Sequence, residues 1–216
     1  MKEEKILQEV ATYVERKLSG EGSGHDWWHI VRVQQMAEKL ALAEGGDSFI
    51  CQLAALVHDL VDDKLVADEE LALAEVRDLL TRAGVAADQT DQVLTIIQAI
   101  SYMGGSQNHL DLTLEGQIVQ DADRLDAIGA IGIARTMAYS GYHGRVIHDP
   151  EVAARQNMTL EQYRSHHGTA ITHFYEKLLL LKDLMNTKTA KELAKGRHAF
   201  LEAYLEQFYA EWEGKA

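Results

Sequence analysis

The chain has 216 residues and a formal net charge of −13 at pH 7, with 34 Asp and Glu against 21 Lys and Arg, so a nucleic-acid polymer is repelled before any specific contact forms. One proline leaves helices uninterrupted, one cysteine permits no intrachain disulfide, and no apolar run reaches the roughly 18 to 20 residues of a membrane span. With the charged N-terminus MKEEKILQEV, these features predict a cytoplasmic, all-α protein folded as a single helical bundle over residues 1–216.

Apolar residues recur with helical spacing along most of the chain. Ile6, Leu7, Val10, Val14 and Leu18 mark a first helix from about residue 3 to 18, and the SGEGSG run at 19–24 ends it. A second helix runs from Asp26 to Glu44, with His29, Val33, Met36, Ala37 and Leu40 on one face, so His29 points inward. From Ser48 to Val61 the sequence is almost wholly apolar, which predicts a helix buried on most sides with His58 and Asp59 near its C-terminal end. Helices follow from Asp68 to Ala83, closed by Gly84, and from Asp88 to Ile100, with a polar loop to Asp111.

Leu114 to Tyr139 is helical in period but holds Gly116, Gly129 and Gly132, each costing about 1 kcal/mol against Ala, and a kink is expected there. Residues 140–168 mix glycines, Pro150, charges and histidines over a length typical of a functional lid or mobile segment. Two helices close the chain as an extension on a core of about residues 24–140. They run from Thr169 to Met185 and from Thr187 to Glu213, the second with Leu201, Tyr204, Leu205, Phe208 and Trp212 as its buried stripe.

Three of these helices present ligand-type residues inward: His29, the His58–Asp59 pair, and a carboxylate from the QDADRLD cluster at 120–126. A buried His and Asp side by side need hydrogen-bond partners or a cation, because an isolated buried carboxylate is costly, and a metal ion satisfies both together. Neighbours on a helix point about 100° apart, so His58 and Asp59 share one ion only at a helix end, which is their expected position. Within the cluster Asp123 and Asp126 fall on one face and Asp121 points elsewhere. Two histidines and two carboxylates suit six-coordinate Mn²⁺ or Mg²⁺ first, then Fe²⁺, Co²⁺ or Ni²⁺.

Beside this set, Arg32, Arg124, Arg135 and Lys177 are the cations available to bind phosphoryl oxygens. Asp26 is the expected N-cap of the second helix, and Trp27 and Trp28 are read as core residues more readily than as stacking platforms for a base. His25 begins that helix, while His166, His167 and His173 are read as surface residues.

The order H, then HD, then D resembles the HD-domain metal-dependent phosphohydrolases. His29 stands in HIVRV, His58 and Asp59 are the HD, and Asp123 stands in an Ala-Asp-Arg-Leu context like that of the family's last aspartate. The segments HDWWHIVRV, AALVHDLVDDK and QDADRLDAIGAIGIARTMAYSG are similar to a bacterial branch that includes nucleoside triphosphate pyrophosphohydrolases, over about residues 24–208. The resemblance implies an HD-type helical fold and a divalent metal held by His29, His58, Asp59 and Asp123. It further implies hydrolysis of a nucleotide to its monophosphate and pyrophosphate, by a monomer or homodimer.

Many family members follow HD with Gly-Lys, whereas this chain reads HDLVDDK, placing Asp62 and Asp63 there and Lys64 just beyond. Asp62 or Asp63 is then a general base, a partner of a ligand histidine or a solvated charge after the helix, and Lys64 a further substrate contact. Binuclear members carry extra histidines before the last aspartate; only His109 lies there, so a single ion is expected. Two alternatives share the motif, a phosphomonoesterase of nucleoside monophosphates and a degenerate HD module that only binds or senses.

Overall fold

The computed structural model describes residues 2–19, 26–61, 68–100, 112–155 and 168–216. Among these are nine α-helices, two 3₁₀ helices and no strand. They fall into two compact units, Met1–Met103 with Gln107–Asp123, and Gly104–Ser106 with Arg124–Ala216.

The first unit holds α1 (Lys2–Lys17), α2 (Trp27–Glu44), α3 (Ser48–Val57), a 3₁₀ turn (His58–Val61), α4 (Glu69–Ala83), α5 (Ala87–Ile100) and most of α6 (Leu114–Asp126). At its centre is α3, packed against α1, α2 and α5. Its run from Leu53 to Val57 is buried without interruption, as the apolar sequence requires. At about 1.5–3 kcal/mol for each large apolar side chain taken fully out of water, α3 is the main hydrophobic anchor of the unit.

The caps are set by local chemistry. Asp26, Asp47 and Asp68 begin α2, α3 and α4 by accepting hydrogen bonds from backbone N–H groups of the first turn. Gly45 and Gly84 end α2 and α4 with left-handed φ of 80° and 87°. A Cβ at Gly46 would stand 2.6 Å from Ile118 Cδ1, so α6 rests directly on the turn between α2 and α3, and the Asp47 N–H donates to Glu115 Oε1 at 3.2 Å beside it.

The second unit contains α7 (Gly129–Tyr142), α8 (Ala170–Glu176), a 3₁₀ helix (Leu178–Leu184) and α9 (Lys188–Trp212). Two expectations change here. The kinked helix expected over 114–139 is two helices, α6 and α7, parted at Ala127 and Ile128. Gly129 adopts φ 76°, and a Cβ on Gly132 would lie 2.2 Å from the Ala127 carbonyl oxygen, so both glycines serve the break. Arg197 Nη1 from α9 donates to the Leu125 carbonyl at the end of α6.

The helix expected from Thr169 to Met185 also divides, since Lys177 leaves helical geometry at φ −140°, ψ −59° and a 3₁₀ helix follows. Leu178 and Leu181, three residues apart, eclipse on one face of that tighter helix and are both buried, which a 3.6-residue turn would not align so closely.

Residues 143–155 are turns and extended chain fastened to α8: the Ala170 and Ile171 N–H groups donate to the Val146 and Ile147 carbonyls. Glu176 also accepts from the Arg155 backbone N–H at 3.0 Å, from Nε at 2.9 Å and from Nη2 at 3.0 Å. Of the stripe expected on α9, Leu201 and Leu205 are buried, whereas Trp212 is 53% exposed.

Candidate metal centre

His29 is the third residue of α2, and its amide is held by the cap: the N–H donates to Asp26 Oδ1 at 2.9 Å and to the Asp26 carbonyl at 3.0 Å. Its ring is fully buried and meets the His58 ring edge-on, with centroids 5.3 Å apart. His58 and Asp59 stand where α3 ends and the chain tightens into the 3₁₀ turn. That tightening lets adjacent residues aim at one point.

The His58 Nδ1 lies 2.8 Å from the Ala55 carbonyl oxygen. A carbonyl only accepts, so Nδ1 carries the proton and Nε2 presents its lone pair towards the carboxylates. Nothing in the sequence singles out Ala55 for this, because the contact comes from backbone and not from a side chain.

The donors converge. His29 Nε2 is 3.5 Å from Asp59 Oδ2 and 3.5 Å from Asp123 Oδ1, while His58 Nε2 is 3.2 Å from Asp59 Oδ1 and 3.9 Å from Asp123 Oδ1. Donor atoms of His29, His58 and Asp59 all lie within 4.8 Å of one another. Ligands at about 2.1 Å from an octahedral ion are about 3.0 Å apart when adjacent and about 4.2 Å when opposite. The four observed separations lie between those limits, so the donor set fits one divalent ion.

Its burial is uneven. The side chains of His29, Asp59 and His58 are 0%, 4% and 8% exposed, against 44% for Asp123. Of the four side chains, Asp123 is therefore the one that reaches solvent.

Asp121 is fully buried on α6. Asp126 Oδ2 receives Arg135 Nη1 at 3.0 Å within the second unit. Arg124 Nη1 donates to the Leu184 carbonyl, and Lys177 makes the junction between α8 and the 3₁₀ helix. Arg32 is half-buried on α2, one turn beyond His29.

Asp62, Asp63 and Lys64 lie outside the described residues, as do His25, His109, His166 and His167. His173 lies on α8 in the second unit. Trp28, expected in the core, is 64% exposed because it projects from the first turn away from the face that carries His29.

Known proteins resemble this chain in sequence and fold. The HD domain family matches residues 27–128. YpgQ of Bacillus subtilis is 42% identical over 208 residues, covering 96% of this chain and 94% of YpgQ. The structure of YpgQ in complex with ADP superposes with a TM-score of 0.79 at 38% identity, over 98% of this chain and 97% of that one.

A structure from Lactobacillus plantarum superposes at TM-score 0.86 with 45% identity, over 97% and 98% of the two chains. An HD-superfamily hydrolase from Bacillus thuringiensis superposes at 0.77 with 43% identity, over 99% and 100%. With the H, HD and D residues gathered in one cluster and these likenesses spanning nearly its whole length, the chain belongs to the HD-domain superfamily of metal-dependent hydrolases.

Proposed function

We propose that the protein hydrolyses a nucleoside triphosphate or deoxynucleoside triphosphate to its monophosphate and pyrophosphate, with one Mn²⁺ or Mg²⁺ held by His29, His58, Asp59 and Asp123. The observation that carries the reading is the convergence of two imidazole nitrogens and two carboxylates at 3.2–3.9 Å, with the Asp123 side chain 44% exposed. A nucleotide ligand is supported by YpgQ, whose structure was solved in complex with ADP. When bound, a divalent ion supplies charge stabilisation at phosphoryl oxygens and lowers the pKa of water.

The chain supplies the rest. The hydrogen bond from His58 Nδ1 to the Ala55 carbonyl fixes the ring's orientation and keeps the Nε2 lone pair on the donor side. Burial of His29 and Asp59 keeps bulk water from those two side chains, which strengthens the electrostatic contacts they make. Arg32, followed by Lys64, Arg124, Arg135 and Lys177, is assigned to the phosphates, and Asp62 or Asp63 to proton transfer from the attacking water or to a ligand histidine. In the overall reaction water adds at the α-phosphorus and the bond to the bridging oxygen breaks, so pyrophosphate leaves.

Incubation with Mn²⁺ or Mg²⁺ and a panel of ribo- and deoxynucleotides, followed by ³¹P NMR, tests this directly. Pyrophosphate from triphosphates supports the reading. Inorganic phosphate from monophosphates would make the protein a phosphomonoesterase instead, and no turnover with no ion bound would make it a binding module.

A further inference from the structure

We infer that Asp26 is a positioning residue for the metal centre: by capping α2 it fixes the backbone of His29, so the helix cap and the metal affinity are coupled. The inference rests on the metal reading above and adds to it a residue outside the four donors.

The coupling follows from where the capped amide sits. In the first unit Asp26, Asp47 and Asp68 cap α2, α3 and α4. Asp47 accepts from Phe49 and Ile50, and Asp68 accepts from Leu71, which are core or surface residues with no donor role. Asp26 accepts from His29, which carries one of the converging nitrogens.

The His29 N–H is shared between Asp26 Oδ1 at 2.9 Å and the Asp26 carbonyl oxygen at 3.0 Å. Asp26 itself is extended, at φ −84° and ψ 169°, the geometry that aims its side chain back at the first turn. The first turn of α2 contains no other acidic residue to complement the helix dipole.

A first turn without its cap frays, because its N–H groups have no partners within the helix. In α2 fraying moves His29 Nε2 relative to Asp59 Oδ2 and Asp123 Oδ1, each 3.5 Å away. His58 has a restraint on its ring through the Ala55 carbonyl. The cap restrains His29 at its backbone, through the amide that begins the turn carrying the ring. Cap loss should therefore weaken metal binding beyond what general destabilisation produces.

The test measures Mn²⁺ affinity of the purified full chain by the free-ion EPR signal, alongside the thermal midpoint in chelator. Asp26→Ala should bind Mn²⁺ about 10-fold more weakly, within the range for residues that orient metal ligands. Asp26→Ser and Asp26→Asn, neutral residues that cap equally well, should return to within about threefold of wild type. Asp68→Ala, which removes the same kind of cap from α4, should lower the midpoint without changing affinity.

Wild-type affinity in Asp26→Ala would overturn the inference, as would equal weakening in Asp68→Ala, or failure of both Asp26→Ser and Asp26→Asn to rescue. Should Asp26→Ala not fold, the Ser and Asn variants are compared with Asp26→Gly, a weaker cap, on the same scale. A wild-type protein that binds no divalent ion overturns the metal reading and this inference together, whereas wild-type binding with an unaffected Asp26→Ala overturns this inference alone.

Discussion

Asp59 and Glu176 are both buried carboxylates, one in each unit, and their neighbours differ in kind. Glu176 is gripped by a guanidinium: Arg155 offers Nε, Nη2 and its backbone N–H at 2.9–3.0 Å. Asp126, also in the second unit, receives Arg135 at 3.0 Å. Asp59 instead divides its two oxygens between the imidazoles of His29 and His58, at 3.5 and 3.2 Å.

A guanidinium closes a carboxylate with fixed, bidentate donors and leaves it no further chemistry. Imidazoles bring lone pairs of their own, so carboxylates and nitrogens together form a cation-binding set. In the second unit Glu176 and Asp126 thus fasten chain, while in the first Asp59 faces a set of donors that could hold a cation. Cys51, a buried residue of α3 in the first unit, shows a third solution: burial first, then the carboxylates of Glu115 and Asp47, push its thiol from the usual 9.0 up to about 12, so it stays neutral.

The largest effect expected from breaking this contrast is on Asp59. Asp59→Ala or His58→Ala should lower turnover at least about 10³-fold and abolish Mn²⁺ binding, while circular dichroism stays that of the folded chain. Unchanged activity in either variant would remove both residues from the centre. Next in size is the ion itself. Mn²⁺ at about 1,000 times its Kd should stabilise wild type by about 4 kcal/mol and leave Asp59→Ala unaffected, as read from thermal unfolding with and without chelator.

The converse change is smaller. Glu176→Gln should cost about 1–3 kcal/mol in denaturant unfolding, below the full cost of breaking a buried pair because the Arg155 side chain is 31% exposed, and should leave Mn²⁺ affinity alone. Equal losses of metal affinity in Glu176→Gln and Asp59→Ala would erase the distinction between the two kinds of acid.

The smallest effect concerns Cys51. Its folded thiol binds its proton more tightly than the unfolded one, so its contribution to stability is complete below pH 9 and declines as pH rises from 9 towards about 12. Native protein at pH 8 should accordingly resist thiol reagents that label it promptly in denaturant, and rapid native labelling would contradict the burial.

Much of the metal centre was legible in one dimension. An inward His29, an HD pair closing an apolar helix, and an aspartate cluster on a later helix are each local patterns, set by 3.6-residue periodicity and by the cost of burying charge. The Asp26 cap of α2 and the Gly84 stop of α4 were equally readable, because a cap depends on residues within one turn of it.

Other features came only from packing across distance. Asp123 meeting His29 and His58, with Asp126 committed to Arg135, depends on how α6 lies against the turn between α2 and α3 and on what α7 presents to its end. Division of 114–139 into two helices was signalled by glycines, yet its position was decided by the Ala127 carbonyl pressing on Gly132.

The 3₁₀ helix at Leu178–Leu184 had no local signature at all, since a leucine run satisfies either helix and only the surface it is buried against chooses between them. Periodicity and capping are short-range and so are written in the sequence, whereas the partner of each buried charge is chosen by residues tens of positions away, which only the folded chain brings together.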